Sequence, residues 1–456
     1  MFTLAVRSLR RRMSAFTASF LAVFLGAVLV MAFGSLSDTG GAEGVSDTDQ
    51  ETLVTMSTVV GGWGLALVAF AVTSTLTLSV RQRATEMALL KSVGATPAQL
   101  RRMILGEAAL LALAGALTAV PAGALAGRGL LALLKSTDQV ADDVAFAYGP
   151  VALGTGLGVT VLGAAGAALL TARRVARMRV VEALGSTADA SSGSGRMGRG
   201  RITAGVLFLL GGLHLSVMAA VAGPEGFDSM QFAGSADILF GIGMAFFAPV
   251  LVRWATAVLA PPVERFGGVS GYLAVLNLRQ RTAQLAAAMT PVILFVGISV
   301  GTLWMQVIQN DANAAAGVVT NAEDEAIETL NLVVTGMVVL FACIMLVNTL
   351  VAVTAHRRRE FGQQRLAGAT RRQLLGMVVL EGAVLTAAGL AFGTVAALPT
   401  VLPFSHAKTD SWLPDPEWGI WLGTAAVAVV VTLVALLGSS RRALRAPAAE
   451  AVAVAA

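Results

Sequence analysis

Ten apolar runs, near residues 15–35, 57–79, 103–126, 151–172, 202–221, 238–258, 283–305, 330–354, 377–402 and 420–437, limit what this chain can fold into more than any other feature. A bilayer core about 30 Å thick takes roughly 20 apolar residues in a helix, and each run is close to or above that length. Backbone groups inside lipid must be satisfied within the protein, so runs of this kind fold as helices. Composition agrees, with 56% of 456 residues apolar and 13% charged, against about 45–50% apolar in soluble domains. The chain reads as an all-α integral membrane protein with ten transmembrane helices. The first run follows "RSLRRRM" but is too long for a secretory signal, so it is expected to be retained.

Basic residues fall on alternate loops. The segments 1–14, 81–102, 173–201, 253–281, 356–372 and 441–445 hold 29 of the 32 lysines and arginines, leaving only Arg128, Lys135 and Lys408 elsewhere. The excess marks the cytoplasmic side, which places both termini in the cytoplasm of a multi-pass protein. The opposite loops collect acids: Asp38, Glu43, Asp47, Asp49, Glu51, Asp142, Asp143, and Glu323, Asp324, Glu325 and Glu328. These outer loops are too short for a folded outer domain, and the acidic 311–328 segment is the expected place for a small outer partner. The single cysteine, Cys343, and the scattered His214, His356 and His406 offer neither a disulfide framework nor zinc-ligand spacing. No metal, bound cofactor or nucleic-acid partner is expected.

One polar stretch occurs twice. "KSVGATPAQLRR" (Lys91 to Arg102) returns as "RLAGATRRQLLG" (Arg365 to Gly376), 274 residues later. Around it, Arg83, Glu86, Gly94, Ala95, Thr96, Gln99, Leu100, Met103 and Glu107 recur as Arg357, Glu360, Gly368, Ala369, Thr370, Gln373, Leu374, Met377 and Glu381. Two further blocks match in the same order, "AVRSLRRR" with "AVLNLRQR" and "ARRVARMRVVEA" with "SRRALRAPAAEA". The repeats therefore span 1–185 and 270–456, each with four helices, joined by 186–269, a Gly/Ser-rich cytoplasmic linker followed by spans 5 and 6. This is a 4+2+4 arrangement. An even number of spans separates equivalent helices, so the two modules have the same topology.

The polar stretch has its own local physics. Gly94 suits the left-handed position that ends a short helix. Thr96 then caps the next helix, with Gln99 completing an S/T-x-x-E/Q capping box and Pro97 at the first helical position. Thr370 and Gln373 rebuild the box in the second half. Each copy is thus an elbow of two helical pieces, the second continuous with a span. Glu107 and Glu381 sit one turn inside the cytoplasmic face, placed to pair with basic residues of an elbow or of a partner. The small-residue runs "GALTAVPAGALAG" and "GLGVTVLGAAGAA" permit close helix contact.

At these residues the sequence resembles the FtsX-like permease family of ABC transporters, which includes MacB-type and Lol-type permeases. The family's elbow runs roughly Arg-x-x-Glu-(hydrophobic)-x-x-Leu-(Arg/Lys)-x-x-Gly-Ala-(Thr/Ser), and "RATEMALLKSVGAT" follows it. In "RRREFGQQRLAGAT", Gln363 and Gln364 replace apolar residues. The resemblance implies that two copies of a cytoplasmic ABC ATPase dock on the elbows through Arg83, Glu86, Lys91, Gly94, Ala95, Thr96, Gln99 and Leu100, and through Arg357, Glu360, Arg365, Gly368, Ala369, Thr370, Gln373 and Leu374. It implies a plasma-membrane permease of a bacterium, itself not an enzyme, with ATP and Mg held by the partner. No Gly-Lys dipeptide exists here, so the chain carries no P-loop.

Two functions follow from the resemblance. One is ATP-driven export or membrane extraction of an amphipathic cargo, such as a lipid, lipopeptide or hydrophobic antibiotic. The other is a mechanotransmitter that moves no substrate and controls a cell-wall hydrolase or sensor kinase. An ion-coupled transporter ranks below both, because it needs ionisable residues at the midplane and Asp237 reads as lying at a span end.

Overall fold

The computed structural model describes residues 13–62, 92–137, 139–177, 197–221, 227–317, 357–415 and 417–445, with isolated positions such as Leu90, Met345 and Leu350. Among them every regular element is a helix. Most of the expected spans 57–79 and 330–354, the linker over 178–196, Cys343 and the acidic segment from residue 318 lie outside the described residues. The described helices form two compact units.

The first unit holds α1 (Met13–Gly40), α2 (Asp47–Thr55) continued by a π-helical turn at Met56–Val60, α3 (Pro97–Ser136) and α4 (Pro150–Arg177). In α3, residues Gly115, Ala119, Gly123 and Gly127 are spaced by four and therefore share one face. Against that stripe α1 lays Val23, Ala27, Met31 and Ser35 at the same spacing. A side chain at Gly115, Gly123 or Gly127 would overlap Val23, Met31 or Ser35. Close approach of this kind supplies the van der Waals contact that holds helices together in lipid. The helix α4 closes the other side, with Gly34 on Ala152 and Gly156 on Met31.

At one end of this unit the Asp38 carboxylate accepts backbone N–H groups of Gly149, Val151 and Ala152 at 2.9, 3.0 and 2.8 Å. These are the donors left free by the first turn of α4, and a negative charge there also opposes the helix dipole. Thr39 Oγ1 takes the N–H of Ala147 at 3.2 Å, and Asp49 that of Ala141 at 3.1 Å. The Asp38→Ala variant is expected to lose about 2 kcal/mol, the upper range for a lost N-cap, read as an earlier heat-induced loss of the folded chain in detergent.

The second unit holds α5 (Arg199–Val221), α6 (Phe227–Phe246), α7 (Ala248–Gln280), α8 (Thr282–Ala315), α9 (Arg358–Leu366), α10 (Arg371–Thr409) and α11 (Trp418–Leu444). Here α8 and α10 repeat the α1–α3 contact, with Gly389 against Val292 and Gly393 against Val296 and Gly297. The pair α5 and α6 packs within this unit, on α8 and α10.

Span 6 corrects the sequence reading. The run 238–258 is not one straight helix: α6 ends at Phe246 and the chain turns by 70° into α7. Pro249, in the first turn of α7, has no N–H to return to the preceding turn. The carbonyls of Phe246 and Ala245 are taken instead by the Arg201 guanidinium, at 2.6 and 3.4 Å. A second break follows at Gly268, whose φ of 53° interrupts α7. Among the described residues, six helices (α1, α3, α5, α8, α10 and α11) are long and apolar enough to cross a membrane, and the bent α6–α7 pair makes a seventh. The apolar part of α4, Pro150–Gly166, is shorter.

Candidate functional site

The two elbows have the same backbone. Gly94 takes φ 101° and Gly368 φ 98°, a region that favours glycine. Ala95 N donates to Leu90 O at 3.0 Å and Ala369 N to Gln364 O at 2.9 Å, closing the same turn. Thr96 Oγ1 accepts from Gln99 N at 3.3 Å while Thr96 N donates to Gln99 Oε1 at 2.9 Å. Thr370 and Gln373 repeat this at 3.2 and 2.9 Å. Both capping boxes are therefore complete, and each opens a helix of 40 or 39 residues, α3 or α10. Arg83, Glu86 and Lys91 lie outside the described residues.

Each elbow is fastened to its own unit. Leu100 is buried with Ile104, Ala108 and Ala168, and Ala95 packs on that cluster. In the second unit Leu374 and Phe361 are buried, Arg365 donates to Leu444 O at 3.4 Å, and Ser270 donates to Gln373 O at 3.0 Å. The tips stay open: Val93 is 88% and Leu366 63% exposed. Arg101, Arg102, Arg371 and Arg372 are exposed beside them.

Beneath the second elbow lies a buried polar network. The Arg357 guanidinium pairs bidentately with the Glu381 carboxylate at 2.5 and 2.9 Å, the two residues being 4% and 3% exposed. Asn277 Nδ2 donates to Glu381 Oε1 at 2.7 Å, and Arg357 lies over the Phe361 ring at 5.1 Å. On the elbow itself Glu360 pairs with Arg281 and stands 4.0 Å from Arg357. The network thus joins the elbow to α10 through Glu381, to α7 through Asn277 and to the start of α8 through Arg281. Two parallel charge-assisted bonds fix the direction as well as the distance between Arg357 and α10. Glu107, the counterpart of Glu381, is also buried and also engaged. Neither Asn277 nor Arg281 was expected from sequence. Both come from the repeated "AVLNLRQR" block, whose recurrence before a span was the available signal.

A family model described as FtsX-like permease C-terminal matches residues 58–180 and 332–448, more than half of the chain, with one elbow in each segment. The chain belongs to the FtsX-like permease family. No curated protein matches it. Family membership and the apolar helices make it a permease-type membrane subunit of the ABC transporter class, and FtsX-like permeases generally partner with cytoplasmic ABC ATPases. Among the described residues no group of three histidine, cysteine or acidic side chains has the geometry of a metal site.

Proposed function

We propose that this FtsX-like permease couples ATP hydrolysis, performed with Mg by two copies of a separate cytoplasmic ATPase, to export or membrane extraction of an amphipathic cargo. In this reading it is a ten-span 4+2+4 protein of the bacterial plasma membrane with both termini cytoplasmic. Lipids, lipopeptides and hydrophobic antibiotics are the cargo classes. The observation that supports it most is the pair of matching elbows, each presenting an exposed apolar tip and each rigidly capped onto a membrane-length helix. Closure of the ATPases would push both tips, and the Arg357–Glu381 pair would carry the second push into α10.

Val93→Asp combined with Leu366→Asp tests the docking without touching any buried group. The full chain is expected to fold and reach the membrane, while affinity for the ATPase falls about thirtyfold, the order of 2 kcal/mol given by loss of an interface hot spot. Co-purification of the ATPase and ATP turnover by the complex are the readouts. Unchanged binding and turnover would sink the elbow reading. Normal turnover with no cargo leaving the membrane would move the function to force transmission.

A further inference from the structure

Asp237 lies in the middle of α6, 0% exposed, and neither of its carboxylate oxygens has a hydrogen-bond partner. A lone ionised carboxylate costs several kcal/mol or more in an apolar interior, which is why intramembrane acids are paired, neutral or functional. Room for this one is made by Gly301 of α8, where a methyl group would overlap the Asp237 carboxyl.

Among the described residues no charged side chain bonds to it. On α5, His214 is exposed on the side opposite Gly212 and Ser216, the residues that face the unit's interior. On α6 itself, Asp228 is nine residues away, and its like charge offers no compensation. On α7, Arg253, Glu264 and Arg265 lie beyond the 70° turn and are exposed. On α8, Asp311 is exposed ten residues past Gly301, about 15 Å along the helix. On α10, Glu381 is held by Arg357. His406 and Lys408 stand nine and eleven residues past Ala397, the position level with Gly301 by the Gly297–Gly393 register.

Further buried polar groups without partners stand near this level by helix register. Trp304 is one turn along α8 from Gly301, and its indole N–H is unbonded. Thr400, level with it on α10 by the same register, has an unbonded hydroxyl. With Ser299 Oγ, two residues before Gly301 and likewise unbonded, these groups stand within about a turn of one another by helix position and mark a seam whose buried polar atoms lack partners in this packing.

We propose that Asp237 is a proton-binding site inside the membrane, filled while α6 lies closed on α8. The carboxyl is packed against Gly301, so the closed seam has no volume for an ammonium group or hydrated ion, and the proton is the ligand that fits. On release the acid O–H bond breaks, its electron pair stays on the carboxylate and the proton passes to water. Release therefore requires α6 to part from α8.

Infrared spectra of the full chain in lipid nanodiscs, with and without ¹³C-aspartate, test this directly. The carbonyl stretch of a protonated aspartic acid is expected at neutral pH and is lost in Asp237→Asn. The isotope shift assigns the band to an aspartic acid without any variant, should that one fail to fold. On alkalinisation the band disappears, and amide hydrogen exchange over residues 229–246 rises further than in Asp237→Asn at the same pH. Absence of the acid band at neutral pH overturns the proposal. Loss of the band with exchange equal in both proteins overturns the seam.

Discussion

Arg357→Met, with Glu381 left in place, is expected to destabilise the full chain by about 3–5 kcal/mol, the range for stranding one member of a buried ion pair. Glu381→Leu is expected to cost a similar amount. Each single change leaves a buried charge with its solvation gone and its partner removed; Asn277 alone cannot neutralise the carboxylate. The double variant Arg357→Met with Glu381→Leu removes both charges and fills much the same volume, so stability is expected to return nearly to wild type. Retention of folded protein after heating in detergent gives the stability cycle. ATP turnover by the complex separates two roles. If the pair only holds the elbow in place, the double variant restores turnover with stability. If it transmits the elbow's movement to α10, stability returns and turnover does not. A double variant as unstable as either single one would show that the network does not rest on this pair.

The elbows were legible because their determinants are local. A left-handed glycine and a capping box act over three or four residues, and Gly94, Thr96, Gln99 and their counterparts take the geometry that their spacing predicts. The base of the second elbow was half legible: Glu381 stood out as a matched carboxylate, but its second partner, Asn277, is 104 residues away and nothing local points to it. Asp38 and Asp49 illustrate the same limit. In sequence they only mark an acidic face, whereas each caps backbone across a gap of about a hundred residues. Asp237 was misplaced for another reason. The polar residues of "FDSMQFAGSAD" depress hydropathy at the start of α6 and shift the apolar window toward 258, across a turn that Pro249 signals and hydropathy does not.

Gly393→Leu is expected to be among the most damaging substitutions in α10. A β-carbon there already meets Val296 and approaches the backbone nitrogen of Gly297 at 3.1 Å, so three further carbons have nowhere to go unless α8 and α10 separate. Overpacking typically costs about 1–3 kcal/mol. Here the obstacle is backbone on a buried helix, which places the expected loss at the top of that range or above it. Val395→Leu, two residues on at a half-exposed position, adds one methylene to the outer side of the same helix and is expected to be near neutral. Recovery of monodisperse protein after graded heating compares the two. The first unit supplies the reason for expecting so sharp a contrast. There the corresponding positions are Ala119 and Ala27, both buried, and the neighbouring glycines carry the close approach. In the second unit Gly389 keeps the close contact that Gly115 makes in the first, and Gly393 adds one where the first unit has Ala119, so a side chain at Gly393 meets a seam with no slack left in it. If Gly393→Leu proved as stable as Val395→Leu, the tight α8–α10 seam, and with it the constraint that Gly301 and Asp237 are packed under, would be wrong.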